Sequence, residues 1–360
     1  MDKDIREGVV VSLDLSSRKG WAFSMDSETG EVLRDGEYAL TESGLSRLVR
    51  GLTAPRVVLE AGGNSAWVQA ELEARGCEVW VVASTTLSSA SGGRPRRKND
   101  REDARRLWQM AVATPGMLVR VRHRGAQEQA DLTLLRSRDH LVGMRTGAIN
   151  HVRGTARSVG ISLPRRSSES FASWTPEQWE KVPESMRGVF EAHLRIIAVL
   201  TEQIAAMDRE VKRVARERYP VVERLQQPYG VGPVISLAFV LTIADPHRFR
   251  KSRAVGPYLG LAPGQYQSGD MDPQLGIDKR GDSFLRRLLV QGAHCILGPK
   301  GPPSDLRAFG ERLCARGGTR AKKRAVVAVA RKLAVLLHRL WVSGEAYEPN
   351  RQGRAAELVA

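Results

Sequence analysis

"GVVVSLDLS", residues 8 to 16, reads as a buried β-strand whose seventh residue breaks the pattern. Valines and leucines flank it, and Gly8 and the serines bound it, which is the composition of a strand packed into a sheet. Asp14 then stands where alternation asks for an apolar side chain or for one aimed at a site. An ionised carboxylate is costly to bury without a partner, so its position makes it the first candidate functional residue.

Working outward, "GWAFSMDSETGEVLRDGEYAL" (20–40) predicts a hairpin turning at "ETGE", and "LSRLVRGL" (45–52) a short amphipathic helix. "RVVLEA" (56–61) is a second buried strand that also ends on an acid, Glu60. "AWVQAELEARG" (66–76) predicts a helix closed by Gly76, and "CEVWVVA" (77–83) a third buried strand. Strands alternating with helices predict an α/β sheet with some parallel pairing. "STTLSSASGGRPRRKN" (84–99) is a Ser/Gly-rich loop ending in the basic cluster Arg94, Arg96, Arg97 and Lys98.

"KNDREDARRL" (98–107) follows, with Asp100, Glu102 and Asp103 among basic side chains. On a helix Asp100 and Asp103 share a face while Glu102 points elsewhere. An acidic first turn is favoured by the helix dipole, which explains the acids without any site. The other reading takes strand-borne Asp14, strand-end Glu60 and helix-borne Asp100 and Asp103 to one sheet edge. Four carboxylates there would hold two magnesium ions, which grip a phosphate and lower the pKa of an attacking hydroxyl.

Composition points to the partner. The 360 residues hold 56 Lys plus Arg against 40 Asp plus Glu, a formal charge of +16. That excess calls for a polyanion, and nucleic acid suits it better than a membrane, because no single amphipathic helix collects the cations. Cys77, Cys295 and Cys314 form no CxxC pair, which argues against a disulfide framework or zinc knuckle, and the histidines stand singly. "GPVISLAFVLTIA" (232–244) is too short to span a bilayer and the N-terminus is charged, so we expect a cytoplasmic protein.

Beyond residue 125 the pattern changes. Charged helices over 126–157 and 185–217, the second with apolar residues near heptad spacing, predict a paired helical coiled-coil arm joined by "LPRRSSESFASWTPEQWEKVPES" (163–185). Such an arm would brace the fold, dimerise the protein or hold RNA. From 218 to 346 we expect a mainly α domain opened by a helix-hairpin-helix-like segment. Its turn residues Gly230 and Gly232 either face a phosphate with their amides or simply join two helices. "SFLRRLLVQGAHCIL" (283–297) and "RGGTRAKKRAVVAVARKLAVLLHRLW" (316–341) are helices with basic edges, and 347–360 reads as a tail. Lys279, Arg280, Arg286, Arg287, Lys322, Lys323 and Arg324 join the 94–98 cluster as candidate phosphate contacts; such contacts carry affinity, not sequence information.

The order Asp14, Glu60, "KNDREDARRL", with "GVGPVISLAFVLTIADPHRFRKSRAVGPYLGLAPGQYQSG" (230–269) and "KRGDSFLRRLLVQGA" (279–293) behind it, resembles the DEDD-type insertion-sequence transposases over roughly residues 8 to 345. The resemblance implies a RuvC-like, ribonuclease H-like domain over 1–125, the arm over 126–217 and a second transposase domain over 218–346. It further implies an RNA-guided recombinase, in which a bridge RNA pairs with donor and target DNA. Asp14, Glu60, Asp100 and Asp103 would be its magnesium ligands and Ser268, in "YLGLAPGQYQSG", its nucleophile. The composite centre would draw on different protomers of a dimer, and then of a tetramer working at the prokaryotic nucleoid. A phosphoserine link conserves bond energy, so no ATP is needed. Two positions depart from the family pattern. Gly62 stands where a hydroxyl residue is usual, and Asp278 where a small polar one is.

Two other readings fit parts of the sequence. A nuclease resolving branched DNA with metal-activated water would leave Ser268 a bystander. A non-catalytic RNA- or DNA-binding protein, or an actin-like ATPase on the same sheet, would leave the four acids unexplained. The ATPase also lacks a glycine-rich nucleotide cradle, for which "AGGNSAW" (61–67) is a poor substitute.

Overall fold

Valine and leucine at alternating positions make the first strand, β1 (Val10–Leu15), two-sided. Val11 and Leu13 are fully buried on one face, while Ser12 and Asp14 face the other. The computed structural model describes residues 6–83, 99–121, 123–266, 275–318 and 320–351. These fall into two compact units, Met1–Gly125 and Ala126–Ala360.

In the first unit β1 pairs antiparallel with β2 (Lys19–Met25), and β2 with β3 (Val32–Ala39), which is the predicted hairpin. After α1 (Glu42–Val49), whose N-cap Thr41 accepts from the Gly44 amide, β4 (Arg56–Glu60) lies parallel to β1. Helix α2 (Ser65–Glu73) then leads to β5 (Glu78–Val82), parallel to β4. Gly76, at φ +80°, turns the chain between them, as its place after the helix predicts. The strand order is β3-β2-β1-β4-β5. Helices α1 and α2 cover one face through Val11, Leu13, Leu45, Val57, Leu59, Val68 and Leu72, each without exposed surface. Each such side chain contributes about 1.5–3 kcal/mol. Helix α3 (Asp100–Ala113) covers the other face, with Leu107 against Val58, Trp80 and Val82, and Trp108 edge-on to Phe23. A mixed sheet sandwiched between helices, with two parallel pairs at its centre and edge, is the expected α/β architecture.

In the second unit α4 (Ala126–Ser158) and α5 (Glu184–Arg218) are two long helices packed against each other. The outer part of this pair has a core of its own around Ile149, Val152, Phe171, Phe190 and Ile197. Its inner part is built into the main core, to which Leu132, Leu135, Val211 and Val214 belong. Asp131, 3 % exposed, accepts from Arg218 at 2.6 Å and from the Tyr219 hydroxyl at 2.8 Å, locking that junction. Burial and this carboxylate together push the Tyr219 hydroxyl well above the usual tyrosine range.

The apolar run of α6 (Pro233–Ile243) is buried all round from Ile235 onward, which makes it the central helix of the core. Against it pack α4, α5, the short helix Val221–Leu225 and α7 (Ser283–Leu297), while α8 (Asp305–Ala315) and α9 (Ala321–Ser343) pack on α7 and on each other, with Trp341 of α9 reaching Phe239. Among the described residues no helix is long and apolar enough to cross a membrane. The helix before the Gly-Val-Gly turn is shorter than a helix-hairpin-helix requires, spanning only Val221–Leu225. Gly230 has a packing reason of its own: at φ +83°, a Cβ there would lie 2.7 Å from the Gly292 carbonyl oxygen on α7. The presumed tail also begins as ordered structure. The Tyr347 amide donates to Gln227 Oε1 at 2.6 Å, and the Asp305 amide to the Pro349 carbonyl.

Candidate functional site

Two strand ends and one helix N-terminus define an edge of the first unit. Ser12 is in register with Val58 and Leu13 with Leu59, so Asp14 and Glu60 close neighbouring parallel strands on the same face. That face is the one α3 covers. Trp108 Nε1 donates to the Val10 carbonyl at 3.0 Å, and Ser12 Oγ to the Ala104 carbonyl at 2.7 Å. Two residues forward on the strand thus match four residues back on the helix, a step of about 6 Å on each. One further step pairs Asp14 with the first helical turn, where Asp100 and Asp103 stand. All four carboxylates are half-buried, while Glu102 is exposed, as the helical spacing predicts. Asn99 caps the helix by accepting from the Arg101 amide.

The loops behind the strand ends are tied together. Asn64 Nδ2 donates to the Ser16 carbonyl at 3.1 Å, joining the chain after Glu60 to the chain after Asp14. Buried Ser65 accepts from the Gly62 amide and lies 2.8 Å from His123 Nε2. Burial holds the His123 imidazole below its usual pKa, with Arg124 acting in the same direction. On the opposite face Tyr38 packs over Gly20, and burial, then the charge of Asp14, push its hydroxyl well up.

An all-carboxylate donor set suits a hard divalent cation, which prefers oxygen. Among the described residues no three acids, histidines or cysteines are gathered as a ready-made metal cage. The backbone sets Asp14 and Glu60 at neighbouring strand ends and Asp100 and Asp103 in the first turn of the helix over that face, and a metal site there would require their side chains to converge.

The second unit carries the opposite charge. A cavity of about 1820 Å³ is lined by Lys251, Lys279, Lys323, Arg324, Arg331 and Arg339 among others, with Leu261, Ile277 and Val327 as apolar wall and, among the described residues, the acids Asp305 and Glu348. Lys279, Lys323 and Arg324 were legible as candidates; Arg331 and Arg339, on an otherwise core-forming helix, were not. Other candidates have structural employment. Arg286 donates to the carbonyls of Leu259 and Gly281, and Arg287 is bidentate to Asp139 on α4. Asp278 accepts from the Arg280 amide, so its carboxylate shapes the turn. Lys322 and Arg280 are exposed, and Gly232 caps α6. Ser268 and the cluster Arg94, Arg96, Arg97 and Lys98 lie outside the described residues.

A mixed sheet with helices on both faces, together with a mostly helical basic unit, is compatible with a DEDD nuclease-like class of protein. Comparison with known families agrees. A transposase family of the IS110 DEDD type matches residues 11–160, and the transposase IS116/IS110/IS902 family matches residues 222–306. The chain is 30 % identical to the transposase for insertion sequence element IS1111A of Coxiella burnetii, over 83 % of its own length and 81 % of that protein. It is 27 % identical to a probable family 20 transposase of Pseudomonas aeruginosa, over 80 % and 83 % of the two chains. Against the transposase for IS1328 of Yersinia enterocolitica identity is 34 % over 56 % and 59 %. The chain belongs to the IS110/IS116 family of insertion-sequence transposases, enzymes that cut and rejoin DNA. Its DEDD domain implies dependence on a divalent metal.

Proposed function

We propose that this transposase exchanges DNA strands under the direction of a bridge RNA, using a carboxylate-held magnesium site and Ser268 as nucleophile. What supports this reading is that Asp14 and Glu60 end neighbouring parallel strands on the face that α3 covers, and that Asp100 and Asp103 stand in the first turn of that helix. Magnesium there would neutralise phosphate charge and favour the alkoxide form of an attacking hydroxyl. The protein's own part is to orient the scissile phosphate and exclude bulk water. Ser268 Oγ forms a new P–O bond as the bond to one deoxyribose oxygen breaks. The serine proton goes to solvent, the departing oxygen takes one up, and the phosphodiester count is conserved.

Guide pairing would supply sequence choice, leaving the protein to hold phosphates through the basic cavity and the 94–98 cluster. The arm supports self-association into a dimer and then a tetramer. Val189, Ile196 and Val199 on α5 are 47 %, 52 % and 56 % exposed and follow heptad-like spacing, a stripe suited to a second helix. The enzyme would work in the cytoplasm on nucleoid DNA.

The test incubates wild type and Ser268→Ala with cognate RNA and both DNAs and resolves them on a denaturing gel. A protein-DNA adduct in wild type, absent in the alanine variant, is expected. Unchanged recombination in the variant would remove the serine step and favour the water-using nuclease. Sequencing RNA that co-purifies from cells should return one transcript from DNA flanking the gene; a random mixture would remove the guide.

A further inference from the structure

Helix α9 alternates two kinds of side chain along one face. Arg324, Val327, Arg331, Val335 and Arg339 follow one another at steps of three or four residues, one turn of about 5.4 Å each, and all five line the cavity of the second unit. The helix itself carries no acid. Arg339 Nε is buried and, among the described residues, has no hydrogen-bond partner, so the stripe ends on a donor that the fold leaves unused. At about 1820 Å³ the cavity exceeds the roughly 300–1,000 Å³ of small-molecule sites, which points to a polymer. Holding phosphates explains the arginines but not the valines. A duplex keeps its bases stacked inside and meets a wall with its charged backbone, whereas an unpaired strand offers both phosphates and bare base faces.

A second part of the wall is apolar as well. Leu275, 43 % exposed, lines the cavity together with Leu261 and Ile277. These residues belong to the stem of the segment that carries Ser268. Pro263 and Ile277 form a β-bridge, the Gly264 amide donates to the Gly276 carbonyl at 2.8 Å, and the Asp278 amide to the Ala262 carbonyl at 3.0 Å. Ser268 is four residues from Gly264 along the chain, a reach of at most about 14 Å.

We infer that this cavity holds an unpaired DNA strand, its phosphates on the arginines of α9 and its bases on the valines between them and on Leu261, Leu275 and Ile277, within reach of the segment that bears Ser268. The inference deepens, and rests on, the reading of the cavity as a holder of phosphates. DNA fits this wall better than RNA, because each ribose would bury a 2′-hydroxyl against side chains that can neither donate to it nor accept from it.

The experiment measures binding to the full-length protein by fluorescence anisotropy at about 0.15 M salt. The probes are a labelled oligothymidine of about 12 nucleotides, a blunt duplex of the same length and the matching oligouridine. Lys323→Gln with Arg331→Gln should weaken oligothymidine binding about tenfold. Leu275→Gln should weaken it about fivefold while leaving the duplex unchanged, and Leu275→Met should bind as wild type does, because an apolar wall tolerates methionine. Leu275 is exposed, so the melting temperature should stay where it is in both variants. If none of the three probes responds to loss of the two cations, the phosphate reading fails and the inference with it. A normal cation effect with a Leu275→Gln variant that binds oligothymidine as wild type does, or that loses duplex binding equally, would overturn the inference alone. So would a Leu275→Met variant as weak as Leu275→Gln. A larger loss for oligouridine than for oligothymidine in Leu275→Gln would overturn it too, since the occupant would then be RNA.

Discussion

The two units place charge in opposite ways. In the first, half-buried acids end neighbouring strands and open helix α3, and Asp35 takes up Arg101 and Arg105. In the second, acids such as Asp131, Asp139 and Asp208 each take up one arginine of the scaffold, and unpaired cations collect around one cavity. The difference separates chemistry from affinity. A surface that must attract phosphates needs its cations free, and the second unit gathers them around its cavity.

The largest effect should come from the acids themselves. Asp14→Asn or Asp103→Asn should lower strand cleavage at least about a thousandfold, as loss of a preorganised electrostatic group does, with RNA binding by filter assay nearly unchanged. Loss of both together, with a lowered melting temperature, would make these residues structural. Gly230→Ala comes next. Its positive φ and the 2.7 Å approach to the Gly292 carbonyl should cost about 2–3 kcal/mol in urea unfolding. An unchanged stability with weakened nucleic-acid affinity would restore the phosphate-facing role read from the sequence.

For the cavity, Arg331→Gln with Lys323→Gln should weaken DNA and RNA binding and flatten the log–log salt dependence by about one unit per cation removed. Metal stabilisation should not change, and a change would break the division of labour between the units. Arg287→Ala should leave that salt slope alone and cost less than about 1 kcal/mol, because the Arg287 side chain is 57 % exposed.

The smallest effect is a pH one. Asp35 has a depressed carboxyl pKa, so the stability it contributes is present above the unfolded value near 4 and is lost as pH falls below it. Acid titration of the melting temperature should show a shallower loss below about pH 4 in Asp35→Asn than in wild type. Parallel curves would mean that the ion pairs contribute nothing to folding.

Much of the first unit was legible because its signals are local. "GVVVSLDLS" and "RVVLEA" carry the period and composition of buried strands, and each ends its apolar run on an acid, which burial energetics alone makes conspicuous. The long arm was legible from its heptad-like spacing. Asp35 was not, since "VLRDGEY" presents one more acid in a polar hairpin strand, and its role depends on partners 66 and 70 residues away. The role of Gly230 stayed open in the sequence because a Gly-Val-Gly turn looks alike whether it faces a phosphate or a neighbouring helix.

What the sequence determined by itself was the order of strands and helices, the basic character of the chain and the placement of acids at the ends of apolar runs. Each follows from how a residue suits its immediate neighbours and water. The tertiary structure decided which charges meet. The rotation of α3 sends Asp100 and Asp103 to one flank and Arg101 and Arg105 to the other, and the packing of α9 brings Arg331 into one cavity with Lys279. A helix can turn either charged stripe toward a sheet without changing its own hydrogen bonds, and only the fit of Leu107 and Trp108 against particular strands selects between them.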